Sequence, residues 1–464
     1  MQRRTRTACF TLTFATLTLL APGQDAAPRS VVSTEQATGQ HSGTPELPLE
    51  QAIELALANN SGLKTASLQT QGAKEDLAAS QTQRFAKTQI LGLGAQLVTK
   101  PSVIFPAGAF GTYTAAGPIP AVNQKVEIAR KPAGTASVAV VQPLSTQYQL
   151  HLELKSLGLK VDSIRQDEQK TRLEVVDNVR RCYYEVVDAQ STLDSLQASL
   201  PYYEESHRLA QENRVRETVL ESDRLNADAQ LLKVKNAISD ARDRVASASE
   251  KLNDLMGREI RTEFRVATIS QMDGGFLRLE ALESSALQNR PEIKKAHIQV
   301  QQAGYDARAK KAEYIPDLSL AFNYYTTANF ENVLPSNVGT VGLSLRWEPW
   351  DWGRRRHEYA EKKVKEEQAR VGVDATERNV LLEVRNASRQ LESSRRQLES
   401  SDAIERTARQ RLQEVQAQVK RGAALSRDLF QAQSELASAD SNKQSSLAAF
   451  WKARADLKKA IGEE

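Results

Sequence analysis

Apolar and polar positions alternate most clearly at 341–353, VGLSLRWEPWDWG, where Val341, Leu343, Leu345 and Trp347 are interleaved with Gly342, Ser344, Arg346 and Glu348. Residues two apart share a face of an extended strand, so this stretch predicts a strand with one apolar and one polar face. The same period recurs in SVAVVQPL at 137–144, in Leu91, Leu93, Ala95 and Leu97 against Gly92, Gly94 and Gln96, and in Leu318, Leu320, Phe322 and Tyr324 against Ser319, Ala321 and Asn323. Four strands are predicted, at about 88–99, 135–143, 317–326 and 338–349, each near the nine to eleven residues that cross a bilayer. Pro143 and Pro349 lack an N–H and are expected to end their ladders, while Trp347, Trp350 and Trp352 read as an aromatic belt where strand gives way to helix. A soluble half-buried strand with a Trp-rich corner would show the same local pattern. Residues 99–134, rich in Pro and Gly and carrying Phe105, Phe110 and Tyr113, are expected to form a loop between the first two strands, at the cell surface.

Elsewhere the period is helical. Leu231, Val234, Ile238, Ala241, Val245, Ala248, Leu252 and Leu255 step by threes and fours, and Leu173, Val176, Val179, Tyr183 and Val186 do nearly the same. Residues 145–216 and 351–421 are two helical arms of roughly 70 residues, on the order of 100 Å each, the first with a kink expected at Pro201. Stripes this narrow cannot build a globule, so the arms must pack beside one another and beside other subunits.

The halves repeat. Leu49-Glu50, Ala56-Leu57, Asn59, Leu63-Lys64 and Ala66 recur at one constant offset as Leu279-Glu280, Ala286-Leu287, Asn289, Ile293-Lys294 and Ala296. Pro143 then pairs with Pro349, Val179-Arg180 with Val384-Arg385, Leu220 with Leu425, Asp223 with Asp428 and Gly257 with Gly462. Each half is expected to run helix, two strands, long helix, return helix: a first repeat over 49–257, a linker over 258–278 and a second repeat over 279–462.

Composition narrows the setting. Residues 1–27 carry Arg3, Arg4 and Arg6 ahead of an uncharged run, as a secretory signal peptide does, and 28–48 reads as a flexible lead-in. Cys9 lies inside the apolar run rather than after a cleavage site, so lipid attachment is not expected, and Cys182 alone cannot form an internal disulfide. With 26% charged residues and no second apolar run of helix-spanning length, a bilayer could be crossed only by a barrel. The net charge of +4 over 464 residues argues against a nucleic-acid footprint. Four strands cannot close a barrel alone, so several protomers must contribute.

On the internal repeat, the strand-ending QPL and EPWDWG motifs, and the segments RETVLESD at 216–223 and RGAALSRD at 421–428, the mature chain resembles the TolC-like outer-membrane efflux protein family over nearly its whole length. The resemblance implies a mainly α protomer with a membrane β-barrel: four strands plus long coiled-coil helices, a homotrimer with a twelve-stranded barrel on a periplasmic α-helical barrel, and hairpin tips near 217–222 and 422–427. It also implies a passive outer-membrane exit duct that docks a periplasmic adaptor coupled to an inner-membrane pump, with no cofactor and no enzymatic activity. At the second tip Gly422 and Asp428 match the family; at the first, Glu217 replaces the glycine while Asp223 is kept. Asp428 falls where the family narrows its periplasmic entrance, although a solvated aspartate beginning a helix has the same sequence signature. A second acidic position is Gln431 here, and the family's locking tyrosine and arginine fall on Val419 and Ala424, leaving Arg421 and Arg427 as gate candidates. Val219, Leu220, Ala424 and Leu425 are small or apolar at an expected turn, as tip-to-tip adaptor packing requires and as local hairpin packing would also produce. Arg346 and Glu348 are expected to face the lumen.

Other chemistry finds little support: the five histidines (His41, His151, His207, His297 and His357) lack ligand spacing, and Gly92 and Gly94 lack a phosphate-loop continuation. A secreted coiled-coil scaffold would explain the helices and signal peptide but not four strands at matched places in two repeats. A periplasmic adaptor would carry one hairpin rather than a duplication.

Overall fold

The computed structural model describes residues 46–99, 102–127, 132–215, 221–266, 278–329 and 337–463. The expected signal peptide, most of the lead-in, residues 267–277 of the linker, and Val219 and Leu220 of the first tip lie outside the described residues. The first half contains β1 (Glu46–Leu47), α1 (Leu49–Asn59), α2 (Ser61–Gln81), β2 (Lys87–Ala95), β3 (Ser102–Phe105), β4 (Thr112–Tyr113), β5 (Gly117–Pro118), β6 (Gln124–Glu127), β7 (Ala133–Pro143), α3 (Thr146–Val215) and α4 (Glu221–Leu255). After β8 (Arg265–Val266) the second half follows as α5 (Leu279–Asn289), α6 (Pro291–Ala312), β9 (Asp317–Ala328), β10 (Asn337–Arg346), α7 (Arg354–Lys420) and α8 (Ser426–Ile461). Among the described residues no helix is long and apolar enough to cross a membrane.

The duplication extends to the packing. In one core, Ala52 and Ala56 of α1 meet Val175 and Val179 of α3 and Met256 after α4. In the other, Leu282 and Ala286 of α5 meet Val380 and Val384 of α7 and Ile461 of α8, at equivalent positions. The α4 stripe is buried at Val234, Ile238, Ala241 and Leu252, as its spacing predicts. The repeats are joined where α3 packs against α8: Asp177, 2% exposed, accepts hydrogen bonds from Arg181 at 3.0 Å and from Lys459 at 3.0 Å.

Several boundaries differ from the sequence expectation, each for a local reason. The leading helix of each repeat is two helices, broken at Asn60 and at Arg290. Asn60 Oδ1 accepts from the N–H groups of Gly62 (2.9 Å) and Leu63 (3.1 Å) to cap α2, and Pro291 opens α6, where its missing N–H costs nothing. The lead-in ends in structure rather than flexibility: Glu46-Leu47 pairs in parallel with Arg265-Val266, Leu47 is buried, and its carbonyl accepts Tyr183 OH at 3.0 Å. α3 is one helix through Pro201, the position where the kink is expected. β2 stops at Ala95, leaving Leu97 outside, and β10 stops at Arg346 rather than Pro349, because its partner β9 begins at Asp317, just after Pro316. The 99–134 loop holds ladders of its own, β3 with β6 and β4 with β5.

Ion pairs tie neighbouring helices along their length. Lys443 of α8 meets Asp402 of α7 at 2.6 Å and the buried Glu405 at 3.6 Å, and Lys310 of α6 meets Glu358 of α7 at 2.7 Å. Hydrogen bonds from Lys443 and from Lys310 hold the Asp402 and Glu358 carboxyls below the usual carboxylate range. A carboxyl depressed by folding stabilises the fold above its unfolded pKa and loses that contribution as pH falls through its folded pKa. The melting temperature of the purified protein should therefore hold steady from neutrality to about pH 5 and fall below about pH 4. Asp402→Asn should flatten that fall; an identical profile in the variant would remove this seam as its cause.

Candidate functional site

The sheet order is β10-β9-β7-β2, antiparallel throughout, which leaves β2 and β10 as the edges. The register brings Ile90, Val138 and Tyr324 into one row, Val140, Phe322 and Val341 into the next, and then Leu320 with Leu343 and Leu318 with Leu345. Directly opposed residues share a face, so this face is apolar. The other face carries Lys87, Gln89, Asn323, Thr340, Ser319 and Ser344, and ends with Arg346 opposite Asp317. Val341 is 73% exposed in the protomer, and Leu343 and Leu345 are exposed with it: an apolar sheet surface that no element among the described residues covers. β2 alternates as predicted but with its faces exchanged, because Leu91 and Leu93 lie beside Ser137 and Thr135 on the polar side while Ile90 joins the apolar one.

At the helical end of the sheet, Trp347, Trp350 and Trp352 are all exposed, and Trp350 and Trp352 meet edge to face at 6.1 Å. Trp352 holds a left-handed φ of 56°, unusual for a bulky side chain, and Gly353 follows at 88°. Together they turn the chain from strand direction into α7. Asp351 fixes the turn: its two carboxylate oxygens accept the N–H groups of Gly353 at 3.0 Å and Arg355 at 3.1 Å. These backbone hydrogen bonds, that of Arg355 foremost, hold its carboxyl below the usual range. Glu348 lies beyond β10 and bonds Arg354 and Arg355 at 3.1 Å each, so it braces the start of α7 rather than extending a strand face. In the first repeat the corresponding corner is made by Ser145, whose Oγ accepts Leu318 N–H at 2.7 Å, immediately after Pro143 at the end of β7.

The far end of α7 carries the second tip. Arg421 closes the helix and donates from Nε to the Ala417 carbonyl at 3.1 Å; Gly422 turns left-handed at φ 71°. Leu425 then precedes α8 with its side chain 70% exposed, and Ala424 is half-buried. Asp428 is half-buried, and its Oδ2 accepts the Leu425 N–H at 3.0 Å. One half of a capping box is thus present, and the carboxylate sits in the first helical turn, where the dipole favours it. Arg427 is exposed beside it. The tip residues Arg421, Gly422, Ala424, Leu425, Arg427 and Asp428 are therefore gathered at one turn. The rim residues Pro143, Trp347, Pro349, Trp350 and Trp352 lie at the other end of α7, whose 67 residues span roughly 100 Å.

Sequence reasoning missed the seams where each return helix ends against a helix break. Asn60 Nδ2 donates to the Leu255 carbonyl at 3.0 Å; at the equivalent place Arg290 Nη1 donates to the carbonyls of Lys459 (3.2 Å) and Ala460 (3.4 Å). Arg290, 7% exposed, also pairs with Glu292 at 3.0 Å and Glu383 at 2.7 Å. The signal was present in Asn60-Ser61-Gly62 and Arg290-Pro291, a cap and a helix-opening proline in register between the repeats. Among the described residues no cluster of three His, Cys, Asp or Glu could hold a metal ion.

A family profile described as "Outer membrane efflux protein" matches residues 121–258 and 282–463. A crystal structure described as a membrane protein from Pseudomonas aeruginosa is 18% identical, with a TM-score of 0.69 over 89% of this chain and 93% of that one. The CmeC outer membrane channel of Campylobacter jejuni is 15% identical, with a TM-score of 0.72 over 96% and 94%. The open state of the Neisseria gonorrhoeae MtrE outer membrane channel is 17% identical, with a TM-score of 0.67 over 89% of each chain. An uncharacterized protein of Haemophilus influenzae is 20% identical over 191 residues, and the matched part spans 42% of that relative.

Proposed function

Because the chain belongs to the outer membrane efflux protein family, we propose that its TolC-like protomer assembles as a homotrimer to form a passive outer-membrane exit duct, fed at its periplasmic tips by an adaptor and an inner-membrane pump. The observation that carries this reading is the open sheet, whose edges β2 and β10 have no neighbouring strand on their outer sides among the described residues. β2 and β10 run antiparallel to one another, so the β10 edge of one copy can continue onto the β2 edge of the next without reversing a strand. Unpaired edges cannot face lipid, and four strands cannot close on themselves. Three copies supply twelve strands, and their α3, α4, α7 and α8 supply twelve long helices that continue the wall. The apolar face of the sheet then meets lipid, the face with Asn323, Ser344 and Arg346 lines water, and the Trp cluster lies at the periplasmic interface.

At the other end, the exposed Leu425 and the half-buried Ala424 beside it offer an apolar tip for an adaptor hairpin. Asp428 from three copies makes an acidic ring that favours cations, flanked by Arg421 and Arg427. Since Asp428 also caps α8, Asp428→Asn, which keeps an acceptor oxygen and removes the charge, separates its two roles. In planar bilayers the wild-type trimer is expected to form small cation-selective channels and Asp428→Asn to lose that selectivity. Unchanged selectivity in the variant would leave Asp428 a helix cap and place the constriction elsewhere. No channels from folded oligomers would overturn the duct.

A further inference from the structure

The polar face of the sheet is interrupted at one end. There the register sets Leu91 in a row with Ser137, Tyr325 and Val338, and Leu93 in the next row with Thr135 and Thr327. Leu91 and Leu93 are 62% and 63% exposed in the protomer. This is the end where β2 stops at Ala95 and β7 starts at Ala133, so the long connection between them springs from beside these side chains. On the duct reading, three protomers therefore set an apolar collar just inside the outer mouth. Twelve strands at about 4.8 Å spacing and a tilt of about 40° enclose a radius of roughly 12 Å, too wide for the collar to cover itself.

The connection is unlike a water-facing loop. Residues 101–124 contain no Asp, Glu, Lys or Arg. In the structure β3 and β6 form a hairpin stem whose far part leaves Ile104, Phe110 and Val122 about two-thirds exposed. A segment with this much uncovered apolar surface needs a partner. Four ladder residues at about 3.3 Å each, plus the folded end beyond Phe105, reach further than the estimated barrel radius.

We infer that in the assembled trimer the 102–127 hairpins of the three copies fold into the mouth and pack Ile104, Phe110 and Val122 onto the collar of Leu91, Leu93, Tyr325 and Val338, forming an apolar plug at the outer end of the duct. Glu127, opposite Ser102 at the base of the stem, stays at the water-facing rim, and Lys125, opposite Ile104, lays its methylenes along the apolar contact and keeps its ammonium in the aqueous lumen. The plug is a second closure, separate from the acidic tip, and it rests on the duct reading.

The test uses the full-length trimer in planar bilayers with the pair Leu93→Cys and Phe110→Cys. Cys182 does not compete, because it is 1% exposed and burial pushes its thiol up to about 11. Oxidation should cross-link the pair and lower the conductance several-fold, reductant should restore it, and neither single variant should respond. Phe110→Ser alone should raise the conductance at least two-fold. A pair that does not cross-link in conducting trimers, or a cross-link that leaves conductance unchanged, overturns the plug while leaving the duct intact. Quenching of a fluorophore on Phe110→Cys by brominated lipid would overturn it by placing the hairpin in the bilayer. A wild-type protein that forms no channels would overturn the duct reading and the plug with it.

Discussion

Gly257→Ala is expected to destabilise the protein by about 2–4 kcal/mol, and Gly462→Ala by somewhat less. Both glycines stand just past the end of a return helix with left-handed φ, 64° and 79°, where a side chain costs about 1–2 kcal/mol. The rest comes from contact. A Cβ at Gly257 would lie 2.8 Å from the Cβ and carbonyl oxygen of Asn59, whereas at Gly462 its nearest neighbours are Asn289 and Arg290 backbone atoms at 3.1 and 3.2 Å. The first cannot be relieved by turning a flexible side chain, because the carbonyl belongs to the last residue of α1 and α1 is packed through the fully buried Ala52 and Ala56. Overpacking of this kind costs about 1–3 kcal/mol more. Denaturant midpoints of the purified variants measure both. A smaller loss at Gly257 than at Gly462 would show that α1 can move away from α4, and the close fit of the two would then not be what fixes the helix break.

These glycines also show what the sequence made legible. Their pairing was visible as a repeat offset, and so were the four strands and the four long helices, because strand and helix periods are local properties of the chain. What each glycine touches was not visible, since Asn59 and Gly257 meet only through the packing of α1 on α3 and α4. β2 illustrates the same limit. Its alternation was plain, but which of its faces joins the apolar side depends on pairing with β7, and the register put Leu91 and Leu93 on the polar side. Leu47 falls in a stretch that reads as a flexible lead-in, because a two-residue strand has no period to detect; its place is set by β8 and by Tyr183, far away in sequence. At the tip, the sequence left Asp428 open between a helix cap and a charged ring. The hydrogen bond to Leu425 N–H accounts for one of its oxygens and leaves its charge for the bilayer measurement to assign.

Arg290→Ala should be the second large perturbation, about 2–4 kcal/mol, and larger than Asn60→Ala at the equivalent seam. The guanidinium is buried, gives hydrogen bonds to the last carbonyls of α8, and pairs with Glu292 and Glu383. Removing one partner of a buried pair costs about 3–5 kcal/mol, but the Glu383 side chain is 57% exposed and can recover water, which lowers the figure. Asn60 supplies one hydrogen bond to Leu255 and one cap, together about 1–2 kcal/mol. Arg290→Lys should not rescue, because an ammonium cannot fork to two carbonyls while meeting carboxylates on two helices. The two seams belong to separate cores, so the Asn60→Ala and Arg290→Ala losses should add to within about 0.5 kcal/mol in denaturant titrations of the double variant. A deviation beyond that would mean that the repeats couple through the packing of α3 on α8. The carrier would then be Asp177, which lies between Arg181 of its own helix and Lys459, the residue whose carbonyl Arg290 holds.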